Sequence, residues 1–153
     1  MSESKVNLPT ASLQDVVDVF ELLGDWDQRY QYLIELGEQL PAMPVEYKTE
    51  ANKVQGCMSQ VWVHAYIDDA QRDRLHYHGD SDTSVIKGVL ALLIQLLDLK
   101  SVEQVQQLDM DDVFERLNLH ENLSPNRHVG IYAIVELMKQ QARKLKKRQT
   151  KVA

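Results

Sequence analysis

With a single cysteine, this chain can close no internal disulfide, so a reducing cytoplasm is its natural compartment. No stretch reaches the roughly 18 uninterrupted apolar residues of a membrane span. The opening Met1-Ser2-Glu3-Ser4-Lys5 lacks the basic-then-apolar layout of a secretory signal. There is no internal repeat and no low-complexity linker. The spacing of histidines and cysteine matches no common zinc pattern. What remains is a chain of 153 residues, 44% hydrophobic and 26% charged, which describes a folded domain able to bury a core. Residues 1–153 read as one domain, with a core over about residues 12–140 and a basic helix end at 139–153.

Charge is unevenly placed. Residues 139–151 carry seven cations and no acid, so the remainder carries −13 within a whole-chain charge of −6. A basic tail can serve nucleic acid or a membrane surface. It also suits a solvated, fraying helix end, where cations complement the helix dipole. The acidic body favours the second reading, and neither nucleic acid nor membrane is expected as a partner.

The chain is organised around residues 52–62, Asn52-Lys53-Val54-Gln55-Gly56-Cys57-Met58-Ser59-Gln60-Val61-Trp62. Gly56 can take backbone angles that other residues avoid, which lets the chain bend just before the sulfur. From Ser59 to Ile67 the residues alternate, with Val61, Val63, Ala65 and Ile67 on one side and Trp62, His64 and Tyr66 on the other. That predicts a strand over 59–67. A lone cysteine is usually a small buried hydrophobe. The polar, flexible neighbours Gln55, Gly56, Ser59 and Gln60 instead point to a loop thiol that can be reached.

Around this stretch the elements follow in order. Ser12, with Asp15 three residues on, caps a first helix, and Gly24 stops it. A second helix starts near Asp25 and ends before Pro41 and Pro44; Gly37 inside it implies close packing, since glycine costs a helix about 1 kcal/mol. The two are expected to be antiparallel. The strand at 59–67 pairs with Arg74–Gly79 in a hairpin, with a possible third strand at Lys53–Gln55. A helix over 83–98, capped by Asp82 or Thr83, is apolar enough to be central. Short helices are predicted at about 101–107 and 110–117. The last helix opens with Ser124 as cap and Pro125 at its first position. The fold class is α+β: a small antiparallel sheet of two to three strands packed against several helices.

Three readings compete for the chemistry. His64, His76 and His78 could join Cys57 as metal ligands if the register allows. A hydrolytic Cys–His dyad would need a histidine such as His120 or His128 held against Cys57. Cys57 could also be incidental to a small interaction module.

A fourth reading comes from resemblance. Asn52, Val54, Gly56-Cys57, Ser59 and Val61-Trp62 resemble the signature of the SufE family, sulfur-acceptor partners of cysteine desulfurases in iron–sulfur cluster assembly. Gly79-Asp80-Ser81-Asp82 with Ile86-Lys87-Gly88 is similar to a second block of that family. Trp26, Tyr30 and Ile34-Glu35-Leu36-Gly37 resemble a third, and Leu123-Ser124-Pro125 with Arg127 and Gly130 a fourth. The blocks fall in family order across about residues 20–140. His128-Val129 departs from the family, where small polar residues are commoner, and the basic extension is longer than the shared core needs. Ser59 and Trp62 favour the Suf-pathway partner over the Csd-type acceptor.

The resemblance implies persulfide transfer. Cys57 would take sulfur from a SufS-like or CsdA-like desulfurase, hold it as a covalent persulfide and pass it to an iron–sulfur scaffold or another acceptor. Gly56 would act as hinge, Asp82 would fix the loop through backbone N–H groups, and Arg127 would lie close to the sulfur. The pyridoxal stays with the desulfurase; no cofactor and no metal is expected here, and the chain is expected to be a carrier and activator, not an enzyme.

Overall fold

The computed structural model describes residues 12–152; the opening residues read above for a secretory signal lie outside this range. Helix α1 (Leu13–Leu23) begins with the capping box at Ser12 and Asp15, and Gly24 follows at φ +84°. Helix α2 (Trp26–Glu38) is capped by Asp25, whose side chain accepts the Gln28 N–H. A 3-10 turn at Val45–Tyr47 leads towards the sheet.

The sheet has two antiparallel strands, β1 (Val61–Ile67) and β2 (Leu75–Ser81). The apolar side of β1 is buried, as its alternation requires. The predicted third strand is reduced to an isolated bridge from Lys53 to Trp62. A second strand partner is unnecessary because Gln141 takes its place: its Oε1 accepts the Ala65 N–H at 2.9 Å, and its Nε2 donates to the Val63 carbonyl at 2.8 Å. β1 starts two residues later than predicted, and β2 runs on to Ser81, so Gly79–Ser81 form strand where the hairpin pattern had ended.

So small a sheet needs a helix layer over one face. Helix α3 (Ser84–Leu97) supplies it, with Gly88 through Leu97 all buried. Gly79 of β2 meets α3 so closely that a Cβ there would lie 2.8 Å from Leu90. On its other side α3 packs against α2 through glycines. A Cβ on Gly88 would lie 2.2 Å from the Leu33 carbonyl oxygen, and one on Gly37 2.9 Å from the Gly88 nitrogen. The helix-interior glycine thus reflects close packing, but its partner is α3 and not the neighbouring α1.

Helices α4 (Val102–Gln106) and α5 (Met110–Arg116) fall where expected, α4 with a capping box at Ser101 and Gln104. A further short helix, α6 (Leu119–Asn122), precedes the last; its four residues are too few to show a period. Helix α7 (Pro125–Val152) then crosses the molecule. Its predicted fraying end is instead tied back to the body. Arg143 bonds Gln106, Lys146 bonds Glu103, and Gln149 donates to the Arg72 carbonyl. Burial also continues past residue 140, at Ala142.

Candidate functional site

Cys57 sits on a loop closed at its neck. The Val54 N–H donates to the Val61 carbonyl at 2.8 Å, so residues 55–60 project as one unit. Asn52 anchors the approach: its backbone carbonyl accepts the Val63 N–H, its side-chain NH2 donates to the Tyr47 carbonyl, and its Oδ1 accepts from Gln141. The sequence marked Asn52 as part of a motif but gave no hint of this role. Gly56 holds φ +86°, a left-handed backbone that other residues adopt only with strain.

The loop's return arm is fastened to the start of α3. Asp82 Oδ1 accepts the Gln60 N–H at 3.0 Å, and the Asp82 N–H donates back to the Gln60 carbonyl at 3.2 Å. Ser59 and Thr83 hydroxyls bond at 2.7 Å. Neither candidate cap of α3 therefore acts as one. Thr83 occupies the capping position without a side-chain bond to the helix, and the Asp82 carboxylate is turned to the loop because Gln60 offers it a nearer N–H.

The Cys57 side chain is half-buried against the first turns of α7. Its closest constraint is Gly130, where a Cβ would lie 2.8 Å from the sulfur. Gly130 was visible in the sequence as a motif residue, though its contact with the thiol was not. Met58, next to the cysteine, is 83% exposed. Together these residues wall an open cleft of about 430 Å3, lined by Cys57, Met58, Ser59, Thr83, Ile86, Ser124, Asn126 and Arg127. Arg127 enters from the first turn of α7, where Ser124 accepts its backbone N–H through both hydroxyl and carbonyl oxygens. No described carboxylate pairs with its guanidinium. The cleft thus combines a nucleophilic atom, an uncompensated cation and hydroxyls in one space reachable from solvent. Such a site can hold a small anionic group beside the sulfur.

The histidines do not join it; none lines the cleft. His64 faces His78 across the strands and Tyr66 faces His76, so the register puts all three histidines on one sheet face. They form a ladder of rings: Tyr47 stacks on His64 at 3.9 Å, His64 on His78 at 5.7 Å and His78 on Tyr66 at 4.5 Å. Burial holds His64 below the usual histidine range. His76 lies between Asp68 and Asp98, each at 2.6 Å. Burial opposes its charge, but the bonds to Asp98 and Asp68 outweigh it and hold His76 above that range. Among the described residues no group of three or more His, Cys, Asp or Glu is placed to hold a metal ion. No described helix is long and apolar enough to cross a membrane.

An α+β chain with its only cysteine on a clamped loop beside the start of the last helix belongs to the SufE family, whose model, described as an Fe-S metabolism associated domain, matches residues 14–142. The chain is 36% identical over 132 residues to a SufE-like protein of Rhizobium meliloti, covering 86% of this chain and 94% of that protein. It is 32% identical over 127 residues to the sulfur acceptor protein CsdE of Escherichia coli, covering 83% of this chain and 85% of the relative. The solution structure of a Thermus thermophilus protein shares the fold, with a TM-score of 0.72 at 22% identity over 90% of this chain and 98% of the other.

Proposed function

We propose that this protein is a sulfur acceptor for a PLP-dependent cysteine desulfurase, SufS-like or CsdA-like, in the cytoplasm. In the transfer, the Cys57 thiolate attacks the outer sulfur of the donor's persulfide. The S–S bond of the donor breaks, its cysteine leaves as thiolate, and Cys57 becomes Cys57–SSH; electrons balance without an external oxidant, as in thiol–disulfide exchange. The carrier then passes that sulfur to an iron–sulfur scaffold or another acceptor. It stimulates the desulfurase by clearing its cysteine and has no turnover of its own.

The observation that carries this reading is the half-buried Cys57 sulfur in a cleft that also holds Arg127. A persulfide is reactive and needs shelter between partners; it must also come out to meet one. The wall of α7 gives shelter. Gly56 serves as the hinge by which the loop leaves that wall, while Asp82 holds the return arm so that the movement stays local. Arg127 attracts the anionic sulfur as it arrives and leaves.

The test is desulfurase turnover in the presence of wild type and Cys57→Ser, with binding measured in parallel. The reading expects Cys57→Ser to bind the desulfurase and fail to stimulate it. Equal stimulation by both would leave only an interaction module with an incidental cysteine.

A further inference from the structure

Two imidazoles that the cleft does not use come together on another face of α7. His128 follows Arg127 by one residue, which turns it about 100° around the helix. There it meets Phe114 of α5 at 5.1 Å and His120 of α6 at 5.3 Å between ring centres, with the two imidazoles nearly perpendicular. His120 also rests edge-on against Phe114, at 4.9 Å. His128 Nε2 is buried without a hydrogen-bond partner. A buried imidazole nitrogen left unpaired is costly, and each such atom calls for an explanation.

We propose that His120 and His128 form a two-imidazole site for a borderline divalent transition metal, with Zn2+ as its representative ion. A zinc-bound imidazole nitrogen lies about 2.1 Å from the ion, so the ring centre lies about 3.2 Å away. At a tetrahedral angle, two such rings have centres about 5.2 Å apart. The observed 5.3 Å matches that separation without movement of either helix. Imidazole suits zinc, copper and nickel, whereas magnesium and calcium prefer oxygen. Phe114 fills the space behind both rings and limits their rotation. His120 is exposed and gives the ion its route in; the remaining positions are taken by water. With two protein ligands the site binds reversibly, unlike a closed structural zinc site. It is independent of the sulfur chemistry assigned to Cys57.

The test is a titration of the reduced full-length chain with Zn2+ at neutral pH, repeated on Cys57→Ser, His120→Gln and His128→Gln. One ion should bind per chain, equally well in Cys57→Ser, with affinity falling about tenfold or more in each histidine variant. Imidazole 15N resonances of His120 and His128 should shift on binding, while those of His64, His76 and His78 stay in place. His120→Gln is the decisive variant, because its side chain is exposed and its loss leaves packing intact. Undiminished binding in His120→Gln, loss of binding in Cys57→Ser, or no binding to wild type would each overturn the proposal.

Discussion

Replacing Gly130 by alanine tests the link between the thiol and α7 at a single methyl group. The added Cβ would lie 2.8 Å from the Cys57 sulfur, 3.5 Å from its Cβ and 3.7 Å from its Cα. Comfortable contacts are about 3.5–4.0 Å, so the sulfur must retreat by about 1 Å while the loop backbone hardly needs to. Two energies oppose each other. Alanine stabilises a helix interior by about 1 kcal/mol over glycine, whereas overpacking costs about 1–3 kcal/mol. The net loss is therefore between about zero and 2 kcal/mol, and lies at the low end if the loop yields as a unit from its Val54–Val61 neck. The assay pairs thermal unfolding with the rate of alkylation by a neutral reagent such as iodoacetamide. Gly130→Ala should unfold within about 5 °C of wild type and react faster, because the thiol has been moved off its wall. An alkylation rate equal to or below that of wild type would refute the claim that α7 shelters Cys57.

Other substitutions probe different joints. Gly88→Ala sets a methyl 2.2 Å from the Leu33 carbonyl oxygen, a backbone atom that cannot yield, so it should destabilise the fold by about 3 kcal/mol or more in denaturant unfolding. Asp82→Ala removes the acceptor of the Gln60 N–H and should speed amide exchange at Gln60 and in the loop while leaving α3 exchange unchanged. His76, held above the usual histidine range by Asp98 and Asp68 against burial, binds its proton more tightly folded than unfolded. Its contribution is full below about pH 6.5 and is lost as pH rises through its raised folded value. His64 is shifted the other way by burial, so the wild-type profile mixes both. The difference in melting temperature between wild type and His76→Gln isolates the first, and should be larger at pH 6 than at pH 8.

What the sequence made legible was mostly what is decided within a turn or two of chain. The capping boxes at Ser12 and Ser101 and the alternation of β1 follow from neighbours three or two residues away, so pattern alone locates them. Cys57, Gly56, Asp82 and Arg127 could be named from motifs, and the fold brings Asp82 to the cysteine loop and Arg127 to the cleft wall. Contacts across the chain were not legible. Asp82 looked like a helix cap because its local context is a cap's; Gln60, 22 residues earlier, claims it only once the hairpin has folded. Gln141 replaces a strand partner from 76 residues away, and Gly130 meets the sulfur only because α7 crosses beneath the loop. The docked end of α7 was hidden for the same reason, since its bonds reach Glu103, Gln106 and Arg72.

The account's central claim is that the Cys57 sulfur can receive another sulfur from a protein donor. The most direct test is peptide mass measurement after incubation with an active cysteine desulfurase and free cysteine. The account predicts a gain of about 32 Da, one sulfur, on the peptide containing Cys57, removed by reductant and absent from Cys57→Ser. An unmodified Cys57 peptide beside a desulfurase that is turning over would contradict it.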